Sequence, residues 1–262
     1  MPATPALFQD KIVLVTGSGR GIGRAIALHF ASQGANVVVN FFRNRAPAEE
    51  TAAEVERLGR QVLLVKADVG TDEGLEQLFD RIEQRFNGLD YLISNAASGY
   101  NRPVMEQRPK GWDWTLNINA RALLFAAQRA VPLMHKRGGG AIVSISSPGS
   151  FRVLPDYVVV GASKAAIEAL TRYLAVELSP YNIVVNAVSP GLVETDALRH
   201  FDAVRQEENI VQRAAELSPA GRLVTPEDVA GLVAFLCSPA ANMIRGQTIL
   251  IDGGFTLPAR QF

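Results

Sequence analysis

The stretch Thr16-Gly17-Ser18-Gly19-Arg20-Gly21-Ile22-Gly23 decides the fold. It closes the apolar run Ile12–Thr16 and opens onto Ala25, Leu28 and Ala31 at helical spacing. Its glycines let the backbone turn sharply from a strand into a helix. They also let a pyrophosphate approach the helix N-terminus, where free N–H groups and the helix dipole favour an anion. The spacing is T-G-x-x-x-G-x-G, not the G-x-G-x-x-G of the usual dinucleotide fingerprint. Gly17, Ser18, Gly19, Arg20, Gly21, Ile22 and Gly23 are therefore candidate cofactor-binding residues.

Further runs rich in β-branched residues follow at Asn36–Asn40, Val62–Val65, Tyr91–Ser94, Ala141–Ile145, Ile183–Val188 and Thr248–Ile251. Several are apolar without alternation, as strands covered on both faces should be. Between them Leu75, Leu78, Phe79, Ile82 and Phe86 stripe one helix, and Ile167, Leu170, Leu174 and Leu178 another. The alternation predicts a single α/β domain over 1–262, a Rossmann-like doubly wound parallel sheet of about seven strands. The least regular stretch, Gly191–Leu223, follows a strand end and is rich in charge. It reads as a lid over a site, with Leu192, Val193, Leu198 and Phe201 to line an apolar tunnel.

Composition narrows the function classes. Hydrophobic residues make up 48% of the 262 and charged residues 20%, which excludes a disordered chain. Lys+Arg and Asp+Glu are 26 each, so no nucleic-acid partner is expected. The apolar stretch Ala122–Met134 is broken by Gln128 and Arg129, so no membrane span is expected. The sole cysteine, Cys237, fits a reducing compartment, and Met1–Pro5 shows no signal-peptide pattern; the expected location is cytoplasmic. His29, His135 and His200 have no partner at metal-ligand spacing, so no metal site is expected. Trp112 and Trp114 read as core or subunit contacts.

Charge at the end of the second strand bears on the cofactor. An acidic residue there bonds the ribose 2′-OH of NAD and repels a 2′-phosphate. Asn40 stands there instead, with Arg43 and Arg45 just beyond and Arg20 in the glycine loop. Guanidinium groups suit a phosphate, so NADPH is the expected cofactor.

The glycine loop, Asp68-Val69, Asn95-Ala96-Ala97, Asn119, Pro190-Gly191 and Asp252-Gly253-Gly254 together resemble the short-chain dehydrogenase/reductase family along essentially the whole chain. The resemblance implies that Asp68 and Val69 contact adenine and that Asn95 and Ala96 line the cofactor site. It implies a helix bent at Asn119, and a nicotinamide amide held by Pro190, Gly191, Val193 and Thr195. It also implies a homotetramer.

Reductases of this family place a tyrosine four residues before a lysine. Four residues before Lys164 stands Val160, which has no proton to give. Ser147 occupies the family's serine column, and the nearest upstream tyrosine is Tyr157. A seven-residue offset is nearly two helical turns, so Tyr157 and Lys164 are expected on one face. The shift has a chemical reading. Reducing a ketone develops charge on the oxygen bonded to the carbon that takes the hydride. Reducing a C=C conjugated to a thioester develops it two carbons away, and the donor must move to meet it. This Tyr-x6-Lys spacing resembles the enoyl-acyl-carrier-protein reductases of type III. So do the runs Arg102–Glu106, Trp112–Thr115, Leu170–Pro180 and Met243–Thr248. The resemblance implies reduction of trans-2-enoyl thioesters on acyl carrier protein or coenzyme A. Tyr157 and Lys164 would be catalytic, and Ser147 and Asn119 auxiliary at most. Two rivals stay open: a carbonyl reductase or alcohol dehydrogenase such as a 3-oxoacyl-carrier-protein reductase, and a non-catalytic NADPH-binding regulator.

Overall fold

The continuous apolar runs become strands covered from both sides. β1 (Ile12–Val15), β2 (Asn36–Phe41) and β6 (Ile183–Pro190) are buried at every position. With β3 (Val62–Lys66), β4 (Tyr91–Ser94), β5 (Gly140–Ile145) and β7 (Thr248–Ile251) they form one parallel sheet, ordered β3-β2-β1-β4-β5-β6-β7. Each of the seven falls on an expected run. The computed structural model describes residues 6–195 and 210–257.

Among the described residues the α-helices are α1 (Gly21–Ser32), α2 (Arg45–Arg57), α3 (Asp72–Phe86), α4 (Pro109–Leu116), α5 (Ala122–Lys136), α6 (Val158–Glu177), α7 (Ile210–Glu216) and α8 (Pro226–Leu236). Two apolar clusters cover the sheet. One joins Ile26, Phe30 and Val37 to Val229 and Val233, and the other joins Leu14, Leu78 and Ile82 to Leu123 and Met134. α3 shows why such segments are helical. Thr71 caps it by accepting from Gly74 N–H, Asp72 and Glu73 oppose the dipole, and Asn87 ends it in the left-handed region at φ 51. Its buried seam is Leu75, Leu78, Phe79 and Ile82, as its spacing predicts. In α1 the seam is Ile26, Ala27, Phe30 and Ala31, so the expected stripe is displaced: Ala25 and Leu28 are only half-buried.

The strand order reverses between β1 and β4, which opens a crevice at their carboxyl ends. The opposite end of the sheet is closed by Asp90. It accepts from Ile12 N–H at 2.9 Å and pairs with Lys11 and Arg137 at 3.0 Å each. Of the expected lid, residues 196–209, with Leu198 and Phe201, lie outside the described residues. Val193 bridges to Val224 and is buried in the core, so its side chain does not line a tunnel. Among the described residues no helix is long and apolar enough to cross a membrane.

Candidate active site

The glycine loop is tied to the sheet on both sides. Ser18 N–H donates to the Asn40 carbonyl at 3.0 Å, and Asn40 N–H donates to Ser18 Oγ at 3.1 Å. Asn40 Oδ1 accepts from Gly17 N–H at 3.2 Å, while its Nδ2 donates to the Val65 and Ala67 carbonyls. Asn40 is buried, and its amide makes three bonds to backbone groups. What it brings to the cofactor site through its residue type is the absence of a carboxylate. On the other side, Thr16 Oγ1 accepts from the N–H groups of Asn95 and Ala96, both at 3.0 Å. Asn95 Nδ2 donates back to the Thr16 and Gly17 carbonyls. Asn95 and Ala96 therefore serve as the clamp that joins β4 to the loop.

This loop leaves a cradle for an anion. Gly17 and Gly21 sit at φ 65 and φ 54, which side chains rarely adopt. A Cβ on Gly17 would stand 3.0 Å from Ala96 Cα, and one on Gly21 would reach 3.5 Å from Thr195. A Cβ on Gly23 would lie 2.5 Å from Asn95 Nδ2. α1 has no side-chain cap and no acidic residue in its first turn, unlike α3 and α8. These features fit a dinucleotide pyrophosphate, with the leading N–H groups of α1 as its donors. Asp68 Oδ1 accepts from Gly70 N–H at 2.9 Å and Val69 is buried, so both shape the rim near the end of β3. Arg45 pairs with Glu49 at 2.8 Å, whereas Arg43 lies over the ring of Trp114. Arg20 is exposed at the mouth of the loop.

The catalytic candidates gather at the end of β5. Ser147 is extended and accepts from Gly149 N–H at 3.2 Å. Tyr157 differs from the expected helical placement. Asp156 turns the chain at φ 59, and Tyr157 caps α6 at φ −101 and ψ 9 instead of lying within it. Its carbonyl accepts from Gly161 N–H at 2.7 Å, and its hydroxyl reaches Ser147 Oγ at 3.5 Å. Its ring lies against Gly149, where a Cβ would come within 2.5 Å of Cε1. Burial pushes the phenol pKa up and the Ser147 hydrogen bond opposes it, so the group is a protonated donor at neutral pH.

Lys164 is buried in α6 and donates from Nζ to the Ile145 carbonyl at 2.8 Å. Burial pushes its pKa down to about 8. At neutral pH it still carries a proton, and an ammonium has two donors beyond the one used on Ile145. Val160 is buried beside Gly99, where a Cβ would run into its side chain. The usual tyrosine column is thus filled by packing.

One group escaped the sequence. Glu168, one turn beyond Lys164, accepts from Ser146 Oγ at 2.7 Å and Ser150 Oγ at 2.6 Å. It pins both ends of the turn that carries Ser147. Its i+4 spacing from Lys164 points to an ion pair, but Lys164 bonds the Ile145 carbonyl instead and Glu168 the two serines. Asn119 was singled out, but its partners were not. It lies in a π-helical turn, Asn117–Arg121, between α4 and α5. Its amide bonds Ser98 N–H at 2.8 Å, the Ser98 carbonyl at 3.0 Å and Ser163 Oγ at 2.8 Å. Asn119→Ala would leave the Ser98 N–H without its partner. The expected loss is on the order of 1–3 kcal/mol of stability. Urea unfolding of the variant checks this, and an unchanged midpoint would refute it.

A cavity of about 470 Å³ borders Tyr157, lined in part by Arg102, Gly149, Leu154, Val158 and Gly161. It is large enough for a small acyl group. Among the described residues no group of three His, Cys, Asp or Glu is placed to hold a metal.

Fold and site together define a nicotinamide-type reductase scaffold. The family model described as enoyl-(acyl carrier protein) reductase matches residues 17–256, and the chain belongs to this branch of the short-chain dehydrogenase/reductase family. The chain is 42% identical to 1-cyclohexenylcarbonyl-CoA reductase of Streptomyces collinus, across 97% of this chain and 90% of that one. L-sorbose reductase of Gluconobacter frateurii, solved with NADPH and L-sorbose, superposes with a TM-score of 0.91 at 31% identity, covering 98% and 100%. A 7α-hydroxysteroid dehydrogenase solved with NADH and a 7-oxo bile acid gives 0.89 at 32%, covering 95% and 96%.

Proposed function

We propose that this oxidoreductase reduces the trans-2 double bond of enoyl thioesters with NADPH, the acyl group being carried on acyl carrier protein or coenzyme A. The observation that carries this reading is the displaced donor. The Val160 column is buried and apolar, while the Tyr157 hydroxyl stands beside Ser147. The kinship with a CoA-thioester reductase supports the same class of substrate. A cytoplasmic homotetramer belongs to the proposal as well.

Bound NADPH would supply the hydride to the β-carbon, and solvent the proton that the α-carbon takes as the enolate collapses. Gly17–Gly23 would hold its pyrophosphate, Asp68 and Val69 its adenine, and Pro190, Gly191, Val193 and Thr195 its amide. Tyr157 donates to the thioester oxygen as enolate charge develops there, the place where a donor lowers the barrier. Lys164 holds the ribose and, as an ammonium, favours charge near Tyr157. Ser147 orients the phenol. Leu154 and Val158, both exposed in the cavity, would lie against the acyl group.

The test pairs crotonyl and acetoacetyl thioesters with both nicotinamide cofactors. Faster turnover of the keto substrate would replace this reading with carbonyl reduction, the chemistry that the names of the two superposed enzymes suggest. Binding without turnover of either would point to a regulator. Cofactor preference has its own test. Arg43→Ala is expected to weaken NADPH by about 1.5–3 kcal/mol, the worth of a hydrogen bond to a charged group, and to leave NADH unchanged. Equal wild-type kcat/KM with both cofactors would refute the preference.

A further inference from the structure

We propose that Trp114 is the positioning residue for phosphate selection: its ring holds Arg43 across the adenosine end of the cleft, where the 2′-phosphate of NADPH would lie. This rests on the NADPH reading above. β2 and β4 flank β1 in the sheet, and the glycine loop starts at the end of β1. Arg43 follows β2, and Trp114 lies on α4, which follows β4. Their contact, 5.1 Å from the guanidinium carbon to the ring centroid, therefore spans the strand that delivers the glycine loop.

The ring is fixed before any ligand arrives. Trp114 Nε1 donates to Ser98 Oγ at 2.7 Å. Asn119 grips Ser98 through both its N–H and its carbonyl, and also bonds Ser163 of α6. The ring face offered to Arg43 is thus set by bonds that tie α4 to Ser98 and, through Asn119, to α6. A guanidinium lying on an aromatic face keeps its edge N–H groups for a phosphate. Its planar fork is also ordered in advance, which lowers the entropy lost on binding. Of the neighbouring cations, Arg45 is paired with Glu49 and Arg24 with Glu54, while Arg20 stands exposed at the mouth of the glycine loop. Arg43 has no carboxylate partner among the described residues. Of the two tryptophans in Trp112–Thr115, Trp112 is 46% exposed and only Trp114 makes these contacts.

Calorimetric titration of the full, unliganded chain with NADPH and with NADH tests this. Trp114→Leu is expected to weaken NADPH about threefold to thirtyfold, the range for a cation–π contact, and to leave NADH unchanged. Added to Arg43→Ala, it should cause no further loss. Trp114→Phe keeps a ring face and should retain most of the preference. Ser98→Ala removes only the anchor and should narrow the preference without unfolding the chain. These two milder variants decide the matter if the leucine variant does not fold. Equal losses of NADPH and NADH in the Trp114 variants would mean a packing role and overturn the inference. So would a preference lost in Arg43→Ala and kept in both Trp114→Phe and Trp114→Leu. If Arg43→Ala itself keeps the preference, the phosphate reading fails first and the inference falls with it.

Discussion

Tyr157→Phe is expected to lower kcat for crotonyl thioester by about 10²–10³, the usual loss when one donor aimed at a developing oxyanion is removed. NADPH affinity should stay nearly intact. The reason lies in how the ring is held. It packs against Gly149 and Gly161, contacts that phenylalanine keeps. Only the hydroxyl beside Ser147 is lost. Burial keeps that hydroxyl protonated, so it can donate throughout the neutral range. A KM for NADPH that rises as steeply as kcat falls would show the tyrosine to be part of the cofactor site. Wild-type turnover by the variant would leave the argument from displaced charge without support.

The fold was legible because the strands are long-lived signals in the sequence. β1, β2 and β6 are buried along their whole length, and only uninterrupted apolar residues satisfy that. The glycine loop was legible for a similar reason: few residues other than glycine tolerate the φ of Gly17 and Gly21. The site was readable residue by residue and less so in its contacts. Tyr157 was found by counting back from Lys164, but counting assumes a continuous helix. The turn at Asp156 starts α6 one residue later and aims the phenol at Ser147. Asn40 was read for the charge it lacks, and its side chain's three bonds to backbone emerge only when β2, β3 and the loop are side by side. Trp114 reads as a core or subunit contact because a tryptophan's partners in a fold come from distant segments, here Arg43 and Ser98.

Lys164→Met should separate function from stability. On the proposed reading the ammonium holds the ribose and steers charge at Tyr157. Loss of one charged hydrogen bond, about 1.5–3 kcal/mol, predicts a fall in kcat/KM of about tenfold to a hundredfold, with weaker NADPH binding. Stability should move otherwise. An unfolded lysine titrates near ~10.4, whereas burial brings Lys164 down to about 8. Below about 8 the folded chain carries a charge that burial disfavours, and the penalty, on the order of 3 kcal/mol, is fully present. Between the two values the unfolded state binds more protons, so the wild type gains stability as pH rises. Methionine removes the penalty and its pH slope, but leaves the Ile145 carbonyl without its donor, which costs about 1–3 kcal/mol. The two effects nearly offset, so at pH 7 the variant should be as stable as wild type or slightly more so. Urea unfolding at pH 7 and pH 9.5, beside cofactor titration, measures both. A variant that loses several kcal/mol while binding NADPH normally would make Lys164 a structural anchor of β5 rather than a ligand of the cofactor.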